Sequence, residues 1–390
     1  MQGQGANAGG GRATNRMFLS GTASLVLGVT LAACGTPPGT HTRTVSFDSG
    51  DIRLAGALVT PAEGKAQSAI VYVDGSGATR RDLGIARRLA ESGIAVLTYD
   101  KRGVGDSQGE YSGPLSTNEV TLNALAADAS AALEFLSAQS EVSDAKLGFA
   151  GISQAGWVIP LAAVASDKEA FTVVWSGMVG RISEEDIFSL YTSDRDGADL
   201  PGFEEIVAQR VRPYAWPPEL GEDVNSVDSL AQLDKPGLWV FGGRDGSIPV
   251  PLSIARLEEL QRDEHAFEYV LFSSAGHDTV ETSFPVVADW IKRVGAASGQ
   301  AVASLTAPLE TFVGNYVMDD PPVSVGVSAE GKELVITSQG DSLPAVRTGD
   351  ASFYMLVPGE GFYYFDFDPR EDSLVMNAQG RAFTLRRTSR

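Results

Sequence analysis

Lys146 to Gly156 reads Lys-Leu-Gly-Phe-Ala-Gly-Ile-Ser-Gln-Ala-Gly, which sets a serine between a short apolar strand and a helix. In a strand-to-helix turn of the form Gly-x-Ser-x-small, the serine occupies strained backbone that holds its hydroxyl clear of the sheet. Small neighbours two residues away on either side avoid a clash. Gly151 and Ala155 are those neighbours around Ser153. The helix predicted over Gln154 to Ser166 aims its N-terminal amides at the place where negative charge would build on a substrate carbonyl. Such an arrangement suits acyl transfer with Ser153 as nucleophile. A second match, Gly105-Asp106-Ser107-Gln108-Gly109, has glycine at both ends. Gly109, Gly113 and Pro114 break any helix after it, so Ser107 is expected in a loop.

A serine nucleophile needs a base, and the chain has three histidines. His41 falls in an N-terminal tether, and His265 closes the charged run Gln261-Arg262-Asp263-Glu264, where a solvated surface residue is expected. His277 follows the last predicted parallel strand, at the sheet edge where open α/β sheets gather their active groups. The base in turn needs a carboxylate to fix its tautomer and stabilise the imidazolium. Asp245, in Val240-Phe241-Gly242-Gly243-Arg244-Asp245-Gly246, stands just past a strand. Asp278 is too close to His277 for a straightforward ring contact, and Asp234 precedes its strand. The competing use of Asp245 is as a turn cap, an ordinary role for Asp-Gly.

The elements that must position these residues alternate. Strand-like segments at Arg43 to Asp48 and Ile52 to Val59 are followed by strands at Ala69 to Val73, Ile94 to Tyr99, Lys146 to Ala150, Phe171 to Trp175, Leu238 to Phe241 and Phe267 to Phe272. Helices are predicted at Leu83 to Glu91, Val120 to Ala138, Pro251 to Gln261 and Phe284 to Val294. Such alternation implies a mostly parallel sheet with helices on both faces. Between Gly177 and Lys235 it fails, and the acidic, aromatic stretch reads as a helical cap insertion, with a surface excursion away from substrate as the bland alternative. Gly295 to Pro308 is a linker by composition. From 309 to 390 seven short β-type segments, separated by Gly, Asp and Pro turns, suggest a small barrel or sandwich. The chain's length allows both parts.

Taken in the order Ser153, Asp245, His277, the set resembles the α/β-hydrolase fold family over roughly Arg43 to Val294. Tyr99-Asp100-Lys101-Arg102-Gly103-Val104-Gly105-Asp106-Ser107 is similar to the Asp-x-Arg-Gly-x-Gly-x-Ser loop of that family, and Asp74-Gly75-Ser76-Gly77 stands where its His-Gly oxyanion loop stands. The resemblance implies an oxyanion hole from the backbone N–H groups of Gln154 and Ser76. Asp74 replaces the usual histidine, and its charge would oppose an oxyanion unless it points away. Leu309-Glu310-Thr311-Phe312-Val313-Gly314-Asn315-Tyr316 resembles the start of small β-domains appended to bacterial serine hydrolases.

Cys34 is the only cysteine, so no intramolecular disulfide can form. Arg12 and Arg16, the apolar or small run Met17 to Ala33, and Leu31-Ala32-Ala33-Cys34 read as a signal peptide (1–33) ending in a tetrapeptide that resembles the lipobox of bacterial lipoproteins. That resemblance implies cleavage before Cys34 and a lipid on it, followed by a tether over 34–42. A plain signal peptide with a chance cysteine is the competing reading. The expected site of action is extracytoplasmic, at the bacterial membrane. The net charge of −20 becomes −22 once Arg12 and Arg16 are removed, which argues against nucleic acid as a partner.

The sequence therefore predicts a serine hydrolase cleaving carboxylic esters through a covalent acyl-enzyme, with Ser153 as nucleophile, His277 as base and Asp245 as its orienting acid. No metal or other cofactor is called for. Two other readings are a peptidase or amidase with the same triad and a non-catalytic surface-binding lipoprotein that keeps the fold. A cofactor-free peroxidase or lyase would share the residues.

Overall fold

The structure is a computed structural model that describes residues 39–389 apart from 112–116, 211–213, 273–274, 297–307 and short turns in the C-terminal region (320–321, 331–332, 339–340, 348–350, 358–360, 370 and 379–380). The expected signal peptide, Cys34 and most of the linker lie outside the described residues.

Apolar alternation builds the first half of the fold. Strands β1 (Thr40–Ser49), β2 (Ile52–Pro61), β3 (Ser68–Val73), β4 (Ile94–Tyr99), β5 (Lys146–Ile152), β6 (Glu169–Trp175), β7 (Gly237–Gly242) and β8 (Phe267–Phe272) form one sheet in the order β1-β2-β4-β3-β5-β6-β7-β8. β2 runs antiparallel to β1 and β4, and the pairs from β4 through β8 are parallel. Along the buried strands the side chains alternate between two cores. Val71, Val73, Phe149, Trp239 and Phe241 face helices α2 (Glu119–Ser137), α3 (Ala155–Val164) and α7 (Val250–Arg262). Ile70, Tyr72, Val96, Val173 and Val240 face α1 (Leu83–Glu91) and α8 (Val280–Ala296). This is the α/β-hydrolase fold, with the order reversing at β3, where β4 continues to one side and β5 to the other. Ligands of open α/β sheets bind at such a reversal.

The insertion expected as a cap contains helices, α4 (Ile182–Thr192), α5 (Phe203–Gln209) and α6 (Ser226–Leu230), between β6 and β7. Beyond the linker, β9 (Gly314–Asp319), β10 (Pro322–Glu330), β11 (Glu333–Ser338), β12 (Asp341–Arg347), β13 (Ser352–Val357), β14 (Gly361–Asp368), β15 (Ser373–Ala378) and β16 (Arg381–Ser389) close into an eight-stranded antiparallel barrel. Phe312, Tyr316, Phe353, Phe365 and Leu374 fill its interior. Of the two expected architectures it is the barrel, with one strand more than the seven anticipated. The extra strand is β12, whose Pro344 weakens a strand reading because it cannot donate to a ladder. β1 also reaches back to Thr40, so the last residues of the expected 34–42 tether, His41 among them, pair with β2.

Candidate active site

β5 ends at Ile152 and α3 begins at Ala155, so the chain must reverse within two residues. Ser153 makes the reversal with φ at +57°, left-handed backbone that costs a non-glycine residue of order 1–3 kcal/mol. Its N–H donates to the Trp175 carbonyl at 2.8 Å, and the Gly156 N–H donates back to the Ser153 carbonyl at 2.8 Å. A Cβ on Gly151 would lie 2.3 Å from the Val73 carbonyl oxygen and 2.6 Å from the Ala155 Cβ, so the smallness of both positions is enforced by contact.

Two further loops meet this turn. His277 Nε2 lies 3.1 Å from Ser153 Oγ, and its Nδ1 lies 2.9 and 3.0 Å from the Asp245 carboxylate oxygens. With neutral imidazole, Nδ1–H donates to Asp245 and Nε2 accepts from the serine hydroxyl. Asp245 is buried, and its Oδ1 also accepts from the N–H groups of Ser247 (2.8 Å) and Ile248 (3.1 Å). Asp245 thus caps a turn and faces His277 at once, so the two uses weighed from sequence coexist. Burial works to lower the His277 pKa, but the hydrogen bond and charge of Asp245, with Asp196 and Asp194 beyond, outweigh it and hold the pKa above the ordinary imidazole value.

The rival residues fall elsewhere. Ser107 Oγ donates to the Asp100 carbonyl at 2.7 Å and accepts from Ala55 N–H at 2.9 Å, a structural tie between its loop and β2. That loop is packed around Asp100, whose carboxylate takes the Arg81 guanidinium at 2.7 and 2.9 Å and the Asp106 N–H at 2.9 Å. A Cβ on Gly105 would come 2.2 Å from Asp100 Oδ2. His265 stacks on Phe267 and pairs its Nδ1 with the Leu233 carbonyl at 2.9 Å, so it is held in place rather than solvated. Asp278 accepts from the Val280 N–H at the start of α8, and Asp234 pairs with Lys235 on the surface.

On the other side of Ser153 lies the loop after β3. A Cβ on Gly75 would approach the Ser153 Cβ to 3.4 Å, so the backbone here passes directly beside the nucleophile. Ser76 is exposed in that loop. Asp74 turns its Oδ1 onto the Gly75 N–H at 2.8 Å. Burial raises its pKa, against the pull of that N–H and of the nearby Lys101 charge.

Two charged residues not singled out from sequence touch this machinery. Lys101 directs its Nζ at the Gly75 carbonyl, at the Gly77 carbonyl (3.3 Å) and at Gln154 Oε1 (3.2 Å). Asp196, from the cap segment after α4, accepts the His277 N–H at 3.1 Å on each oxygen and the Gly246 N–H at 2.9 Å. The same segment adds Thr192 Oγ–H onto the Gly246 carbonyl and Gly197 N–H onto the Arg244 carbonyl (2.9 Å). Neither residue has a local sequence cue, because each acts across a gap of tens of residues. Among the described residues no group of three or more His, Cys, Asp or Glu side chains is placed to hold a metal ion.

Several known proteins are similar to parts of this chain. The family model described as X-Pro dipeptidyl-peptidase (S15 family) matches residues 48–192, less than half of the chain. An uncharacterized protein of Mycobacterium tuberculosis (strain ATCC 25618 / H37Rv) is 28% identical over 239 residues, covering 59% of this chain and 70% of its own. Among solved structures, an esterase of Pyrococcus furiosus is 18% identical with a TM-score of 0.47, over 68% of this chain and 93% of that one. A 2,6-dihydroxy-pseudo-oxynicotine hydrolase is 19% identical with a TM-score of 0.49, over 68% of this chain and 70% of that one. The strand order and the arrangement of helices are those of the α/β-hydrolase fold.

Proposed function

We propose that this α/β-hydrolase is a serine esterase that works through an acyl-enzyme on Ser153. The observation that supports it most is the unbroken run of hydrogen-bond distances from Ser153 Oγ through His277 to buried Asp245, with the serine on left-handed backbone. In this reading Ser153 Oγ forms a bond to the substrate carbonyl carbon while His277 Nε2 takes the hydroxyl proton. The resulting oxyanion is met by the N–H groups of Gln154 and Ser76, each such donor being worth about 3 kcal/mol in the transition state. The tetrahedral adduct then expels the alcohol, which leaves with the proton from Nε2. Water repeats the sequence on the acyl-enzyme and releases the carboxylic acid. An alkoxide is a less demanding leaving group than an amine, which favours esters. Labelling by a fluorophosphonate tests the proposal: it should modify Ser153, and should fail in Ser153→Ala and in His277→Ala. Labelling that survives Ser153→Ala at full strength would overturn it.

A second reading, cleavage of amide bonds, is favoured by the S15 match, whose description is of an X-Pro dipeptidyl-peptidase. Parallel assays with p-nitrophenyl butyrate and an X-Pro p-nitroanilide separate the two by their kcat/KM. For location we propose a lipid on Cys34 that holds the enzyme outside the cytoplasm, where acyl chains contribute about 0.8 kcal/mol per buried CH₂ to anchoring. Palmitate incorporation that persists in Cys34→Ser would exclude it.

A further inference from the structure

Lys101 is an expensive residue for this protein to keep where it is. It follows β4, only 4% of its surface is exposed, and an ammonium removed from water needs compensation. Its three acceptors, the carbonyls of Gly75 and Gly77 and the side chain of Gln154, are all neutral. The titratable groups that face it are Asp74, after β3, which acts through its charge, and Tyr111, whose ring centroid lies 5.8 Å from Nζ. A methionine would fill the same space without the desolvation cost, so loop packing alone does not account for a cation.

The acceptors account for it. Gly75 carries the carbonyl of the peptide whose nitrogen belongs to Ser76, and in a planar trans peptide C=O and N–H point in opposite directions. Fixing the Gly75 oxygen therefore fixes the direction of the Ser76 N–H. A charge on that oxygen also polarises the peptide and makes its N–H a stronger donor. The Gly77 carbonyl is held by the same ammonium, and the Gly77 N–H donates to Tyr111 Oη at 2.8 Å, so the loop is pinned on both faces. Gln154 is the residue whose N–H lies on the other side of the nucleophile. Its side chain is clamped between Lys101 at Oε1 and Thr117 Oγ at Nε2, the latter at 3.1 Å.

We infer that Lys101 is the positioning residue of the oxyanion site, its ammonium joining the Gly75–Ser76 peptide to Gln154 so that donors on both sides of Ser153 are set before substrate arrives. This rests on the acyl-transfer reading above. Lys101 need not touch substrate; it acts through the peptide and the side chain it holds. Burial lowers its pKa to about 8, against the opposing charge of Asp74. The clamp accordingly weakens as pH rises past that value.

The test uses the full chain, p-nitrophenyl butyrate and an alkyl trifluoromethyl ketone that forms a tetrahedral adduct with serine. Lys101→Met should lower kcat about 10- to 100-fold, somewhat less than removal of an oxyanion donor outright. KM should stay within about 3-fold, and the ketone should weaken by a factor similar to that in kcat. Wild type should show an alkaline fall in kcat/KM near pH 8 that Lys101→Met lacks. An unchanged kcat in a folded Lys101→Met, or a loss carried by KM with ketone affinity intact, overturns the role. If that variant does not fold, the wild-type pH profile decides, and absence of the alkaline fall overturns it. Fluorophosphonate labelling of wild-type Ser153 separates the two levels: its failure removes the acyl-transfer reading, whereas labelling with no effect at Lys101 removes only this inference.

Discussion

The two sides of Ser153 are held by opposite means. On one side the loop after β3 is fixed by a buried cation, Lys101, that stands two residues past the end of the adjacent strand β4. On the other, the loops carrying Asp245 and His277 are tied together by Asp196, an exposed anion supplied by the cap insertion. The first side is assembled from residues that follow β3, β4 and β5. The second takes part of its alignment from a segment outside the sheet, the insertion between β6 and β7.

The strongest break in this comparison removes both sides at once. Ser153→Ala should abolish turnover of p-nitrophenyl butyrate by about 10⁴-fold or more, and its residual rate sets the floor for the other variants. Asp245→Asn should come close, at about 10⁴-fold in kcat, because an amide favours the wrong imidazole tautomer; a loss under tenfold would mean that the turn-capping use of Asp245 is its main one. Asp196→Ala sharpens the contrast with a smaller effect, about 3- to 10-fold in kcat, with trifluoromethyl ketone affinity changed far less than in Lys101→Met.

The pH profile adds a signed test. With His277 as the proposed base, its protonation should stop turnover as pH falls, and with its pKa held above the ordinary 6.5, the acid limb of kcat/KM should have its midpoint above that value. Asp196→Ala should move the midpoint down, since Asp196 is one of the charges raising it. Stability runs the other way: protonated His277 contributes fully below about 6.5, and the contribution fades as pH rises through the folded pKa. Lys101 has a depressed pKa, so between about 8 and 10.5 the unfolded chain binds more protons and stability should rise with pH while turnover falls. The smallest expected effect is at the other serine. Ser107→Ala should leave kcat/KM within about twofold and cost about 1 kcal/mol in urea unfolding, the worth of its hydrogen bonds to β2 and Asp100.

What sequence made legible follows from range. The Ser153 turn, the position of Asp245 past β7 and that of His277 past β8 were readable because residue type and strand end coincide within a few positions. The loop holding Ser107 was readable as structural from Gly109, Gly113 and Pro114, which break any helix after it, and from its resemblance to the Asp-x-Arg-Gly-x-Gly-x-Ser loop. Lys101 was not, because a lysine after a strand looks like any solvated charge until β3 and α3 are folded against it. Asp196 sat in an acidic insertion where no single carboxylate stood out. In the barrel, Pro344 hid β12, and Pro285 in α8 sits one turn inside a helix that begins earlier, at Val280, than its apolar run suggests.

Closure of the C-terminal barrel has its own consequence for recognition. Among the described residues every strand from β9 to β16 has a hydrogen-bonded neighbour on both sides, and the shortest seam joins β12 to β13 through Val346↔Tyr354 and Arg347↔Phe353 alone. An extended peptide would therefore find main chain to pair with chiefly at that seam, and elsewhere a ligand of this part would have to be read by side chains on the outer wall or by the turns at its ends.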